Sequence, residues 1–259
     1  MGILQSHIGR SLAVLTKPAV VRQTLICFPY AGGGASVFRG WRPFMENEAA
    51  MLVAVQYPGR EVRFNEPLTD CYQAIAREIA GEITEQGYDH GRLVLFGHSF
   101  GAAIAFEVVR ELERLSQPPA LLVVSGRPAP NVRSQRPAVA GLTDEQFLER
   151  IIEYKGFPAE LLENTEFMEI VLPILRADFQ VSERFDSERR DLIEPISVPL
   201  LALGAHNDPW LNQTNIGAWR DYTSGTFSTQ WFEGGHFYIN DDVAPIIERI
   251  LHHDVTPKI

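Results

Sequence analysis

Residues 93–109 read LVLFGHSFGAAIAFEVV, and this stretch decides the fold. Its first four residues form a short apolar run, which is typical of a strand covered on both faces of a sheet. Ile104 and Val108 then follow at the spacing of an α-helix. Between the two patterns lies the sequence G-x-S-x-G, from Gly97 to Gly101. The stretch therefore predicts a buried strand, a tight turn that presents a serine, and a helix.

The same alternation of strand-like and helical patterns continues along most of the 259 residues. The strand-like runs occupy residues 25–28, 51–55, 93–96, 121–124, 200–203 and 227–232. Helical stripes elsewhere include Ile75, Ile79 and Ile83, and also Val243, Ile246, Ile247 and Ile250. Strands that alternate with helices favour an α/β fold, in which helices flank a mostly parallel central sheet through right-handed crossovers.

The turn at Ser99 has the features of a nucleophile elbow. Glycine is needed on both sides of it, because side chains there would collide with the adjacent strand and helix. The serine is expected in a strained backbone conformation with its hydroxyl exposed. The amide of Phe100 would point into the pocket at a helix N-terminus, where it can bind an oxyanion. These features predict a serine hydrolase of the α/β-hydrolase fold with Ser99 as nucleophile.

A serine hydroxyl is a weak nucleophile and needs a base. In α/β-hydrolases the histidine comes after the nucleophile and the acid along the chain. Of the seven histidines, His236 follows the last strand-like run, in the sequence EGGHF. The preceding glycines allow this loop to bend the imidazole over the strand ends. His252 and His253 instead end a helix near the terminus, so we predict His236 as the base.

The acid of such a triad should follow a strand between Ser99 and His236. The run at residues 200–203 continues as GAHNDP, in which Asp208 is the only carboxylate. Its predicted role is to orient the imidazole and stabilise the imidazolium. Asp178 is the alternative, although a helical pattern surrounds it.

The second oxyanion donor should come from the loop after the first core strand. That loop reads FPYAGGG over residues 28–34, and three consecutive glycines permit a close backbone approach. We assign the donor to the amide of Ala31, with Tyr30 as the alternative. The loop is not interpreted as a phosphate loop, because no Gly-Lys-Ser/Thr follows it.

One stretch, residues 127–192, breaks the alternation because it holds helical patterns but no strand-like run. Inserts longer than an ordinary loop are typical of lids or binding elements. We therefore predict a hydrolase core of residues 1–126 and 193–259 and a helical lid insert of residues 127–192. The candidate substrate-pocket residues of the lid are Phe147, Ile151, Phe167, Val171 and Leu175. Alternatively, these side chains only pack the lid on the body, or the stretch is an ordinary helical layer of the core.

Composition limits the other function classes. The net charge of −10 is scattered along the chain, which argues against nucleic acid as the main partner. Neither a membrane-spanning run nor a secretory signal is recognisable. Cys27 and Cys71 form no metal or redox motif and are expected to be buried reduced thiols. We therefore expect a cytoplasmic monomer that needs no metal and no organic cofactor.

Together these residues resemble the type II thioesterases of non-ribosomal peptide and polyketide synthesis, over nearly the whole chain. The matching segments are FPYAGG at 28–33, QYPGR at 56–60, GHSFGA at 97–102, LPILRADF at 172–179 and FEGGHF at 232–237. The segment at 172–179 looks like the lid segment of that family. One departure is GAHNDP at 204–209, where the family often has Gly-Asp-x-Asp-Pro; the second aspartate, Asp208, is kept.

The resemblance implies a stand-alone editing enzyme. Such enzymes hydrolyse misprimed or stalled acyl groups from the phosphopantetheine thiol of carrier proteins, and some release products or intermediates. Carrier proteins are usually acidic, and so is this chain, so docking would need a local basic or apolar patch. Arg60, Arg63 and Arg127 are candidates, with a simply solvated side chain as the alternative for each.

Three other functions stay open from the sequence. The first is a small-molecule carboxylesterase or lipase with the same triad. The second is a protein of the hydrolase fold that only binds a ligand. The third is a domain cut from a synthase.

Overall fold

A computed structural model of the protein describes residues 6–7, 10–132, 137–153, 165–189 and 194–253. The strands are β1 (Ser6–His7), β2 (Leu12–Thr16), β3 (Gln23–Phe28), β4 (Ala50–Val55), β5 (Leu93–His98), β6 (Leu121–Ser125), β7 (Leu200–Ala205) and β8 (Phe227–Phe232). The α-helices are α1 (Arg42–Asn47), α2 (Tyr72–Gln86), α3 (Phe100–Arg114), α4 (Asp144–Glu153), α5 (Thr165–Arg189), α6 (Gln213–Gly217) and α7 (Ala244–Leu251). Short 3₁₀ helices lie at Ala35–Trp41, Glu61–Arg63, His90–Arg92, Ala218–Tyr222 and Tyr238–Asn240.

The strands form one sheet in the order β1-β2-β4-β3-β5-β6-β7-β8. Strands β3 to β8 pair in parallel, and they contain all six strand-like runs of the sequence. The predicted α/β fold with a mostly parallel sheet is therefore confirmed. Strands β1 and β2 were not predicted; β2 pairs antiparallel with both β1 and β4. The apolar run LAVL at residues 12–15 was the available signal for β2.

The strand order places a topological switch point between β3 and β5. The chain leaves β3 for β4 on one side, then crosses back so that β5 pairs with the other side of β3. In open α/β sheets the crevice at the carboxyl ends of such strands is where ligands bind. Here that crevice lies between the loop after β3 and the turn at Ser99.

Two apolar layers cover the sheet. One contains buried side chains of α2 and α3 together with Trp219 and Tyr222. The other contains Phe38, Trp41 and buried side chains of α7. Alternate residues of the strands point into the two layers. Because each fully buried large apolar side chain stabilises the fold by about 1.5–3 kcal/mol relative to exposure, the two layers fix the sheet that carries the site.

The predicted lid insert has two packing environments. Its residues 133–136, 154–164 and 190–192 lie outside the described part of the chain. In its second half, α5 buries Val181 and Phe185 in the same cluster as α2 and α3. By contrast, Phe147, Ile151 and Leu175 form a separate small cluster with Val139. The second half of α5 is therefore part of the main core, while α4 and the first half of α5 pack on each other. Among the described residues, no helix is long and apolar enough to cross a membrane.

Candidate active site

The nucleophile elbow has the backbone that the sequence predicted. Ser99 lies between β5 and α3 with φ 55° and ψ −112°, a conformation that costs free energy in a residue other than glycine. A Cβ on Gly97 would lie 2.2 Å from the carbonyl oxygen of Gly101. A Cβ on Gly101 would lie 2.1 Å from the carbonyl oxygen of Phe28. Both glycines are therefore needed, and α3 can pack directly against the end of β3.

Gly101→Ala is expected to destabilise the protein by about 3 kcal/mol or more, because backbone atoms of β3 and its loop would have to move. The matched control is Gly81→Ala in α2, where a Cβ meets no atom within 4 Å. That change should stabilise the helix by about 0.5–1 kcal/mol. Urea unfolding midpoints of both variants test the contrast. Equal and small shifts would mean that α3 is not packed against β3 as described.

Three side chains from three strand ends meet at the elbow. The Nε2 atom of His236 lies 3.2 Å from the Oγ atom of Ser99. The Nδ1 atom of the same imidazole lies 2.6 Å from the Oδ2 atom of Asp208. All three side chains are buried. The structure thus brings together the predicted nucleophile, base and acid, in the geometry in which a serine is activated for attack.

The loops that carry the acid and the base are fixed to each other. The amide of His206 donates to the carbonyl of Phe232, and the amide of Asn207 donates to the carbonyl of Gly234. The amide of Trp210 donates to the Oδ1 atom of Asp208 at 3.0 Å, which leaves Oδ2 directed at the imidazole. In this way the backbone sets the orientation of the carboxylate.

Asp178, the alternative acid, lies elsewhere. Its carboxylate pairs with the guanidinium of Arg60, with N–O distances of 2.6 and 2.8 Å. It also accepts a hydrogen bond of 2.8 Å from the amide of Gly32. The structure therefore places Asp178 at the loop after β3, and Asp208 beside the imidazole.

The loop after β3 forms a tight turn beside the elbow. The amide of Gly33 donates to the carbonyl of Tyr30 at 2.9 Å, and Gly32 has φ 78°. Within the described part of the chain, no protein acceptor takes the amide hydrogen of Ala31 or of Phe100. Unpaired amides are what an oxyanion hole requires, so the assignment of these two donors stays a prediction that the backbone allows.

A second buried network supports the histidine loop and was not predicted. The Nδ1 atom of His98 lies 2.8 Å from the Oγ atom of Ser125, which lies 2.6 Å from the hydroxyl of Tyr238. Burial raises the pKa of Tyr238, so its hydroxyl keeps its proton. The rings of His98 and His236 have centroids 5.1 Å apart. The position of Tyr238, two residues after the predicted base, was the only available signal.

The five candidate lid residues do not share one environment. Phe147, Ile151 and Leu175 are buried against each other, with Val171 packed at their edge. Phe167 is half-buried. Mutual packing therefore accounts for the first four, and a role in the substrate pocket stays a prediction for all five.

The three arginines considered for docking are buried, which makes that prediction wrong. Arg60 pairs with Asp178, and Arg63 donates to the carbonyl of Gln56 at 2.8 Å. Arg127 pairs with Asp186. Each side chain is at least nine-tenths buried, so none offers a free positive charge to a partner. The partners of Arg60 and Arg127 lie far away in the sequence, whereas Gln56 lies close to Arg63.

The described ranges contain both cysteines and offer no clear metal site. Cys27 is buried and Cys71 is half-buried, and both are free thiols. Burial raises the pKa of Cys27, which makes its thiolate unfavourable. In those ranges no group of three or more His, Cys, Asp or Glu side chains is placed to hold a metal ion.

Comparison with known proteins identifies the family. The thioesterase domain family matches residues 23–254. The chain belongs to this family. The thioesterase is 37% identical over 233 residues to Thioesterase PikA5 of Streptomyces venezuelae, covering 88% of this chain and 80% of PikA5. It is 38% identical over 240 residues to the gramicidin S biosynthesis protein GrsT of Aneurinibacillus migulanus, covering 91% of each chain.

A solved structure agrees with these relatives. The thioesterase superimposes on YbtT, a type II thioesterase from the yersiniabactin biosynthetic pathway, with a TM-score of 0.84 and 29% identity. The match covers 95% of this chain and all of the YbtT chain, which carries a serine-to-alanine substitution. The resemblance to type II thioesterases is thereby confirmed, as is the prediction of a hydrolase that acts on thioesters. The individual roles of Ser99, Asp208 and His236 stay predictions.

Proposed function

We propose that this protein hydrolyses acyl groups from the phosphopantetheine thiol of carrier proteins in non-ribosomal peptide or polyketide synthesis. The proposal depends on the hydrogen-bonded row of Ser99, His236 and Asp208, found in a chain that aligns along 91% of its length with a gramicidin S biosynthesis protein. Its role would be editing, that is, the removal of misprimed or stalled acyl groups, with release of intermediates as a related activity.

In the proposed reaction the Oγ atom of Ser99 attacks the thioester carbonyl while His236 takes the proton of that hydroxyl. The amides of Phe100 and Ala31 donate to the resulting oxyanion. The thiol leaves with the proton from His236, and an acyl ester remains on Ser99. Water then gives a proton to His236 and attacks that ester, which releases a carboxylic acid and restores the serine. Asp208 stays ionised throughout and stabilises the imidazolium.

The proposal extends to partner and compartment. The carrier-protein domain of a synthase delivers the acyl group. The apolar side chains of α4 and of the first half of α5 are proposed to contact that acyl group. The reaction draws on no metal or organic cofactor. We infer a cytoplasmic monomer; the scattered net charge of −10 supports a partner other than nucleic acid.

Hydrolysis of one acyl group on three carriers tests the proposal. The acyl group is presented on a carrier protein, on coenzyme A and as a simple aryl ester, and the released acid is measured by mass spectrometry. We expect kcat/KM for the carrier protein to exceed that for the other two by at least about tenfold, which corresponds to about 1.4 kcal/mol of transition-state stabilisation. Faster hydrolysis of the ester would instead identify a carboxylesterase. The same assay with several acyl groups gives the acyl preference.

Labelling separates the enzyme from a protein that only binds ligands. An active-site phosphonate should attach to Ser99 of the wild-type protein, and mass spectrometry of peptides should locate the adduct there. An unlabelled Ser99 in folded protein would favour the non-catalytic alternative.

A further inference from the structure

The contact between α5 and the loop after β3 takes no direct part in the proposed reaction. The Oδ2 atom of Asp178 accepts hydrogen bonds from the amide of Gly32 and from the Nη1 atom of Arg60. Its Oδ1 atom accepts from the Nη2 atom of the same guanidinium. The Nη1 atom of Arg60 also lies 3.3 Å from the carbonyl oxygen of Gly33. We call Gly32, Gly33, Arg60 and Asp178 the loop clamp.

Burial makes the loop clamp a demanding arrangement. Arg60 and Asp178 are 5% and 4% exposed, so either charge without the other would be strongly unfavourable. Burial by itself lowers the pKa of Arg60, but the charge and hydrogen bonds of Asp178 outweigh it and leave that pKa raised. The guanidinium also lies over the ring of Tyr57, 5.3 Å from its centroid. The guanidinium therefore stays charged, and its bidentate contact with Asp178 fixes both side chains.

The glycines of the loop contribute little of their own to fixing its conformation, which depends on the turn bond from Gly33 to Tyr30 and on contacts from outside the loop. Residues 32–34 are all glycine, and Gly32 has φ 78°, so the backbone is intrinsically free to adopt other conformations. An oxyanion hole works only if its donors are pre-positioned before the reaction. The proposed donor, the amide of Ala31, precedes directly the amide that Asp178 holds. Fixing the second amide restricts the orientation of the first.

The loop clamp also solves an electrostatic problem. A lone carboxylate beside an oxyanion hole would repel the negative charge that develops on the substrate. The bidentate pair with Arg60 makes the clamp neutral overall while it keeps the strong acceptor that Gly32 needs. Two of the segments that carry the family resemblance, QYPGR at 56–60 and LPILRADF at 172–179, meet at the loop clamp through Arg60 and Asp178. The loop clamp therefore gives both segments a structural role.

We propose that Asp178 is a positioning residue for the oxyanion hole, held and neutralised by Arg60, so that the hole is complete only when α5 is docked on the loop. The proposal rests on the proposed hydrolytic function. It assigns α5, a helix of the predicted lid insert, a role in the chemistry in addition to covering the site.

The first test replaces the carboxylate by a neutral group of the same shape. For Asp178→Asn we expect kcat on a small acyl thioester to fall about 10- to 100-fold with little change in KM, less than the 10²–10³ typical of deleting one oxyanion donor. The matched control is Glu188→Gln, also on α5. Glu188 accepts from the hydroxyl of Tyr72 at 2.7 Å and is remote from the loop clamp. It should change neither kcat nor KM.

A pair of inhibitors distinguishes positioning from a general loss of structure. A trifluoromethyl ketone analogue of the acyl group forms a tetrahedral adduct with Ser99 and needs the oxyanion hole. The corresponding thioether does not react and needs only the pocket. In Asp178→Asn the affinity for the ketone should fall by the same factor as kcat/KM, and the affinity for the thioether should stay unchanged. Arg60→Lys keeps the positive charge but loses the bidentate geometry. Its affinity for the ketone should fall by a smaller factor that again matches its loss of kcat/KM, and its affinity for the thioether should stay unchanged.

Each outcome decides the question. Equal ketone affinity in Asp178→Asn and wild type would overturn the proposal, and so would a parallel loss of both inhibitors. If Asp178→Asn does not fold, Arg60→Lys carries the same comparison. Because both inhibitors bind without a carrier protein, failure of the wild type to act on acyl carrier proteins would contradict the proposed function and leave this test valid.

Discussion

Ser99→Ala should hydrolyse an acyl thioester more slowly than the wild-type protein by a factor on the order of 10⁶. The substitution removes the Oγ atom that is proposed to form the acyl-enzyme, and the hydrogen bond of 3.2 Å to His236 disappears with it. The oxyanion donors and the pocket remain, so a residual rate above that in water is expected. Single-turnover kinetics with mass-spectrometric detection of the acid measure the loss.

The fold of the Ser99→Ala protein should be intact. The amide of residue 99 donates to the carbonyl of Ser125 at 2.7 Å, and this contact does not use the side chain. Thermal unfolding should therefore change by only a few degrees. Ser187→Ala on the exposed side of α5 is the matched control and should retain full activity. Wild-type activity in Ser99→Ala would exclude Ser99 as the nucleophile.

Asp208→Asn should lower kcat by about 10⁴, as is typical when the acid of a triad becomes an amide. An amide carries no full negative charge, so it is a weaker acceptor for the hydrogen on Nδ1 of His236 than a carboxylate is. The imidazole is then no longer held in the required tautomer, and its protonated form is no longer stabilised. The short contact of 2.6 Å between Asp208 and His236 makes the effect large. Steady-state kinetics on a small acyl thioester measure it.

Comparison with other aspartates shows whether the effect is specific. Asp221→Asn, at an exposed position of the 3₁₀ helix Ala218–Tyr222, should leave kcat unchanged. Asp178→Asn should cost much less than Asp208→Asn. A loss at Asp208 no larger than that at Asp221 would mean that Asp208 is not the acid.

Local sequence was sufficient for the six parallel strands β3 to β8 and for the candidate site residues that follow them, but not for β1 and β2. The elbow between Gly97 and Gly101 is defined by short-range sterics, so its pattern can be read in nine residues. Asp208 and His236 follow from chain order, since each lies a few residues after a strand-like run. Parallel strands bring such positions to the same edge without any knowledge of side-chain contacts.

Contacts between distant segments could not be predicted in this way. Arg60 and Asp178 are separated by 118 residues, and nothing in the periodicity of either segment indicates its partner. Arginine is usually exposed, so the interpretation of Arg60 as a docking residue followed the general tendency and was wrong. Only the folded chain shows that a buried carboxylate compensates the charge.

The length of α5 was also underestimated. Its helical pattern was recognised near Phe167 to Leu175, but the helix continues to Arg189 and includes Pro173. Many charged residues between 176 and 189 interrupt the apolar stripe. Several of them make ion pairs, such as Arg176 with Asp144 and Arg184 with Asp70. These side chains are paired with carboxylates of distant segments, so the helix does not need a broad apolar face.

The separate cluster formed by Phe147, Ile151, Leu175 and Val139 has an evolutionary consequence. Side chains within it contact mainly each other, so we expect exchanges that leave the position of α5 unchanged to be only weakly coupled to the sheet that carries the triad. We therefore expect natural variation in this cluster to be better tolerated than variation around Val181 and Phe185, which belong to the main core. For protein engineering, the cluster is the first place at which to graft segments from relatives.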